Sequence, residues 1–240
     1  MKIKTSLTRF VDEKEIIRGK TLESLMKKYS FVSTIFLLLF NRLPKKNEEA
    51  MFNALFVSAI DHGPGTSSAM NARISASVGN SVHASLAAGI LGFGNRHGMA
   101  VEDAMNFFSE HIDHADIPTK LRELKAQNIK VPGYGHKVFT HTDPRSTTLF
   151  SIAKKQKIFG TYCVFAQSIH KELHTFSSKP LPLNIDGAIA AILLDMNIPS
   201  MLGNTIFLIG RIPGLLAHIY EERLNDVGIR RLEDRDIEYM

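Results

Sequence analysis

Apolar side chains recur along this chain at helical spacing nearly from end to end. Met51, Phe52, Leu55, Phe56 and Ala59 form one such stripe, as expected of a helix that buries one face. Glu48 and Glu49 precede it, where the positive end of a helix dipole lies, and Asn47 takes the N-cap position. Thr21 reads as the cap of a short helix ending near Tyr29, and residues 31–43 read as a buried helix stopped by Pro44. No run alternates convincingly as a strand, and no internal repeat or low-complexity linker interrupts the pattern. The fold class expected is all-α.

Residues 67–94 stand apart, because 16 of the 28 are Ala, Ser or Gly. Small side chains let helix backbones approach closely, so this stretch predicts a tightly packed helix pair, either inside one protomer or at a subunit interface. Residues 98–185 form an amphipathic stretch broken at Pro118, Pro132, Gly133 and Pro180.

Composition narrows the function without naming it. The chain has 240 residues, 44% of them hydrophobic, and a net charge of +5. Its basic residues are scattered and not interleaved with aromatics, which disfavours a nucleic-acid surface and suits small polyanionic ligands. Cys163 is the one cysteine, so an internal disulfide and a thiolate metal site are excluded. The N-terminus mixes both charge signs without an apolar core of signal-peptide type. The longest apolar stretch, 31–40, is about half of a membrane span, and a cytoplasmic location is expected.

The chemistry concentrates in residues 132–145, PGYGHKVFTHTDPR. Glycines let backbone amides press against a ligand, His136 can exchange a proton near neutral pH, and Arg145 offers a guanidinium fork for a carboxylate. Further on, Asn184-Ile185-Asp186-Gly187 sets a lone carboxylate ahead of an apolar run. Taken alone, Asp186 or Asn184 reads as the cap of the helix that follows; burial would instead raise the Asp186 pKa and make it a base. His111 and His114, with Asp113 between them, could bind a metal, but a solvated helix end is the simpler reading, and no metal site is expected. His83, His141, His170 and His174 read as structural or exposed positions.

Together with Arg211-Ile-Pro-Gly-Leu-Leu-Ala-His218, these segments resemble the citrate synthase family in order and spacing. The resemblance implies a larger helical lobe, residues 1–97 and 187–240, and a smaller one, residues 98–186, that closes over the active site. It implies Asp186 as the base at the methyl carbon of a CoA thioester. His136 would handle the oxaloacetate carbonyl oxygen, and His97, in a segment that reads His-Gly-Gly-Ala in many members, would donate to the thioester oxygen. His62, Arg145 and Arg211 would hold carboxylates, and Arg231, with Arg230 beside it, would reach into a neighbouring subunit. CoA would lie on Gly133, Tyr134 and Gly135, with Lys137 near a phosphate; members often carry an arginine where this chain has Thr140. A symmetric dimer or higher homo-oligomer is implied, with no cofactor beyond the CoA substrate.

Within the family, the segment His62-Gly-Pro-Gly-Thr-Ser-Ser-Ala-Met-Asn71 and the tail Asp236-Ile-Glu-Tyr239 look more like the citryl-CoA lyase module of ATP-citrate lyase than like a synthase. His97 is a synthase feature. The expected activity is cleavage of citryl-CoA to acetyl-CoA and oxaloacetate, with a separate citrate–CoA ligase a possible partner. The alternatives are a short citrate or 2-methylcitrate synthase, and a non-catalytic CoA-binding or regulatory subunit.

Overall fold

The computed structural model describes residues 2–94, 97–114, 116–136, 139–177 and 181–240. Its N-terminus departs from the all-helical expectation. Strand β1 (Thr8–Val11) pairs antiparallel with β2 (Lys14–Ile17), Arg9 opposite Ile16, and β2 pairs with β3 (Lys20–Thr21). The hairpin turns on Asp12 and Glu13, at φ 48° and 61°, the left-handed pair such a turn requires. Asn-Gly or Asp-Gly usually marks it; Asp-Glu does not. Phe10 and Val11 stay exposed, so no buried stripe betrayed the strands either.

The remaining regular elements of the described chain are helices. Thr21 caps α1 (Leu22–Lys28) by accepting the Ser24 amide at 3.2 Å, as expected. Helix α2 (Phe31–Phe40) stops at Asn41, which adopts φ 55°. Helix α3 (Lys46–Ala59) starts earlier than Asn47: Lys45 is the cap residue, and the Glu48 carboxylate accepts its amide at 2.7 Å. The small-residue stretch forms α4 (Ser67–Ser77) and α5 (Val82–Leu91), capped by Thr66 and Ser81. They pack almost backbone to backbone, since a methyl group on Gly92 would meet the Ser68 Cα at 2.7 Å.

Helices α6 (Val101–His111), α7 (Ile117–Ala126), α8 (Pro144–Lys155) and α9 (Thr161–Phe176) follow. Helix α10 (Ile185–Asp195) is the hub: residues 188–193 are apolar and at most 1% exposed, because α6, α8 and α9 all pack on it. A helix apolar on every side can only be stable inside a core. Helix α11 (Gly203–Asn225) packs on α3, α4 and α5. With the turn before it, α11 is long and apolar enough to span a membrane, but Ile206, Phe207, Leu215 and Ile219 are buried in the protein core. One cluster of buried side chains draws on both expected lobes, joining Phe52 and Leu55 to Phe108, Ile169 and Ile189.

Candidate active site

The loop before α8 is held by main chain. Gly135 donates its amide to the Pro182 carbonyl at 2.8 Å, and Asn184 donates its own to the Gly133 carbonyl at 3.0 Å. The Asn184 side chain donates to the Gly135 carbonyl at 3.0 Å, while its Oδ1 accepts the amides of Asp186 and Gly187. Asn184, not Asp186, is therefore the cap of α10, and Asp186 is released from that duty. Gly133 sits at φ +83°, and a methyl group there would meet the Gly187 Cα at 2.7 Å. Only glycine at both positions lets the loop lie on the start of α10. Tyr134 anchors the loop from behind, donating its hydroxyl to the Ala166 carbonyl at 2.8 Å; burial raises its pKa well above the usual phenol range.

This clip opens onto a cavity of about 1220 Å³ whose wall includes His62, His97, His136, Arg145, Asp186 and Arg211. Six residues singled out in sequence thus converge from five parts of the chain. Arg145 is the centre of the arrangement. Asp143, fully buried, caps α8 by accepting the Arg145 amide, and also takes Nε at 3.0 Å and Nη2 at 2.7 Å. The guanidinium so fixed reaches His62 Nδ1 at 3.4 Å and His136 Nε2 at 3.2 Å, and the two imidazoles stand 5.6 Å apart, edge to face. The Phe139 amide donates to His136 Nδ1 at 3.1 Å, so Nε2 is the nitrogen turned toward Arg145. Both imidazoles are pushed below the usual histidine range, first by burial and then by the Arg145 charge, which favours their neutral forms.

Arg211 approaches from α11 and is 4% exposed. Its Nε donates to the Ala59 carbonyl, and its guanidinium lies over the Phe207 ring at 5.0 Å. His97 stacks on Phe93 at 5.3 Å, and its Nε2 lies 2.9 Å from the Ser68 hydroxyl. Burial raises the Asp186 pKa to about 6, against the pull of Arg145 and Arg211. Three groups able to exchange protons and two arginines therefore share one cavity, whose lining also includes Lys125, Ile129, Lys130 and Phe176.

One expected residue is placed elsewhere. Arg231 is exposed on the C-terminal arm and does not line the cavity, whereas Arg230 is spent within its own chain on Glu222, at 2.5 Å. Lys137 lies outside the described residues. The His111 and His114 rings stack at 6.2 Å, and among the described residues no three potential ligands cluster to hold a metal. Cys163 is buried in the core, and its thiol is pushed strongly upward by burial and by Asp195. Sequence reading passed over Ser68 and the grip of Asp143 on Arg145. Asp143 was visible as part of the Asp-Pro-Arg turn, while Ser68 was one serine among many.

Residues 44–232 match the family described as citrate synthase, C-terminal domain, and the chain belongs to the citrate synthase family. Among solved structures it resembles the citryl-CoA lyase from Hydrogenobacter thermophilus, with 40% identity and a TM-score of 0.92 over 99% of this chain and 94% of that one. It also resembles the Methanosaeta concilii ATP citrate lyase in complex with (3S)-citryl-CoA, with 25% identity and a TM-score of 0.87 over all of this chain and 42% of that one. A probable ATP-citrate synthase of Dictyostelium discoideum is 29% identical over 89% of this chain. The chain spans 37% of that relative's length.

Proposed function

We propose that the protein is a citryl-CoA lyase, cleaving citryl-CoA to acetyl-CoA and oxaloacetate. The observation that carries this reading is the convergence of Asp186, His97 and His136 with Arg145, Arg211 and His62 on one cavity. The near full-length likeness to the Hydrogenobacter enzyme supports it. In the proposed reaction the His136 imidazole accepts the hydroxyl proton as the oxygen becomes a keto group. The carbon–carbon bond breaks toward the thioester side, and its electron pair forms an enolate whose oxygen receives a hydrogen bond from His97. Protonated Asp186 then delivers its proton to the methylene carbon, giving acetyl-CoA. A carboxyl group with a pKa of about 6 can serve as acid in this direction and as base in reverse. His62, Arg145 and Arg211 hold the carboxylates of the oxaloacetate half; the Arg145 and His136 nitrogens, 3.2 Å apart, suit one shared substrate oxygen.

CoA lies along Gly133, Tyr134 and Gly135 toward Lys125 and Lys130, which also line the cavity, with Lys137 next in sequence. The smaller lobe, residues 98–186, closes over the bound thioester. The protein acts as a homodimer in the cytoplasm, with Arg231 entering the neighbouring site. What supports the dimer is exposed apolar surface at helical spacing: Met70, Ile74 and Val78 along α4, and Leu216, Tyr220 and Leu224 along α11. Citryl-CoA must reach this protein from a ligase acting on citrate and CoA. His97 favours one second reading, a short synthase that condenses the same substrates and hydrolyses the thioester. Mass analysis of the products from purified protein and citryl-CoA decides: acetyl-CoA with oxaloacetate supports the lyase, citrate with free CoA the synthase, and no turnover refutes both.

A further inference from the structure

Asp61 and His218 have no role in the reaction above, yet both bear on the turn that presents His62. The Asp61 carboxylate accepts the Gly63 amide at 3.1 Å and is also addressed by the His62 amide, so it closes the turn between α3 and α4. From α11, His218 Nε2 meets Asp61 Oδ1 at 2.9 Å; from α4, Arg73 Nη1 meets His218 Nδ1 at 3.1 Å. A guanidinium can only donate, so Nδ1 is the acceptor and the ring proton sits on Nε2, aimed at Asp61. Arg73 is itself pinned by Glu221 at 2.5 Å and by Glu222 at 2.7 Å. Glu222 is 2% exposed and also holds Arg230 of the C-terminal arm. This chain of contacts selects one tautomer of His218 and directs it at the carboxylate behind His62.

We infer that His218 is a positioning residue: by holding Asp61 it fixes the His62 turn, and so sets the imidazole 3.4 Å from Arg145. The inference rests on the reading of His62 as a carboxylate contact. Stability alone is a weak reason for the pair, because the Asp61 side chain is 44% exposed and ion pairs at such sites contribute little. Geometry is a strong reason, because a displacement of about 1 Å at a reacting centre can cost on the order of a hundredfold in rate.

The test compares His218→Gln, which keeps a donor near the Nε2 position, with His218→Ala. The measurements are oxaloacetate and CoA binding by calorimetry, and the His62 imidazole signals by NMR. The Ala variant is expected to weaken oxaloacetate about tenfold, to leave CoA within about twofold, and to shift the His62 signals; the Gln variant stays near wild type on all three. Asp61→Asn should reproduce the Ala result, with no further loss in the double variant. The inference is overturned if Gln and Ala behave alike, or if a folded Ala variant leaves the His62 signals unmoved. A wild type that binds no oxaloacetate sinks the reading of the site, and the His62 signals then decide the positioning role alone.

Discussion

Asp186 should make the protein less stable at the pH where it works. Its carboxyl titrates at about 6, against an ordinary 3.8, so between those values the folded chain holds a proton that the unfolded chain has released. Stability therefore falls as pH rises through about 4 to 6. Two units at 1.36 kcal/mol each give a cost of about 3 kcal/mol once the group is ionised. The attraction of Arg145 and Arg211 is already contained in that figure. Asp186→Asn keeps the shape and removes the ionisation. At pH 7.5 the variant is expected to be more stable than wild type by up to about 3 kcal/mol, on the order of 5–10 °C in Tm for a chain of this size. Near pH 4 the two should coincide. Urea melts from pH 4 to 8 at one protein concentration, held fixed because assembly shifts apparent stability, measure the difference directly. Turnover should fall by about a thousandfold with ligand binding kept, a gain in stability at the expense of function. Parallel stability curves, or an Asn variant that is weaker at pH 7.5, would refute the burial argument.

Three further outcomes are expected. Gly187→Ala sets a methyl group 2.5 Å from the Gly133 carbonyl oxygen; it should cost about 2 kcal/mol or more and cut turnover by displacing the loop, as read by denaturation and steady-state kinetics. Asp195→Ala removes the carboxylate that accepts the amides of Gly160, Tyr162 and Cys163 at 2.8–3.0 Å at the start of α9. The expected loss is about 2 kcal/mol in a urea melt, with kcat per folded molecule unchanged. Entry of solvent deuterium into the acetyl-CoA methyl group needs ionised Asp186, so its rate should rise with pH through about 6 and then level off. An NMR time course that is flat from pH 4.5 to 8 would contradict that assignment.

The candidate site was legible in sequence because the residues proposed to carry its chemistry lie in short, ordered motifs. His136 and Arg145 stood out within their own loop, whereas Asp186 and Arg211 were singled out through the family pattern, which also implied their convergence. Helix starts were legible where a hydroxyl did the capping, as at Thr21, and misplaced by two residues at α3, where Glu48 reaches back to the Lys45 amide. The hairpin was hidden because its strands are short and exposed and its turn lacks glycine. Ser68 and the grip of Asp143 on Arg145 were hidden for another reason: their partners lie across space or within one turn, and nothing in the spacing tells a serine on a small-residue helix that it faces His97. The alternatives for Asn184 and Asp186 could be separated only by seeing which oxygen meets the α10 amides.

The two backbone hydrogen bonds that stitch the glycine loop to the start of α10 have a kinetic consequence. They join His136 and Asp186 through main chain rather than through side chains, so the proton acceptor and donor of the proposed reaction travel as one piece. His62, His97 and Arg211 stand on other segments. In the proposed closure, the movement that admits and releases the thioester leaves the span between these two groups unaltered and brings the preset pair up to the groups proposed to hold carboxylate and thioester oxygen. Mutations that slow opening and closing should then change how often the site is assembled, and leave untouched the intrinsic isotope effect of the proton transfer itself.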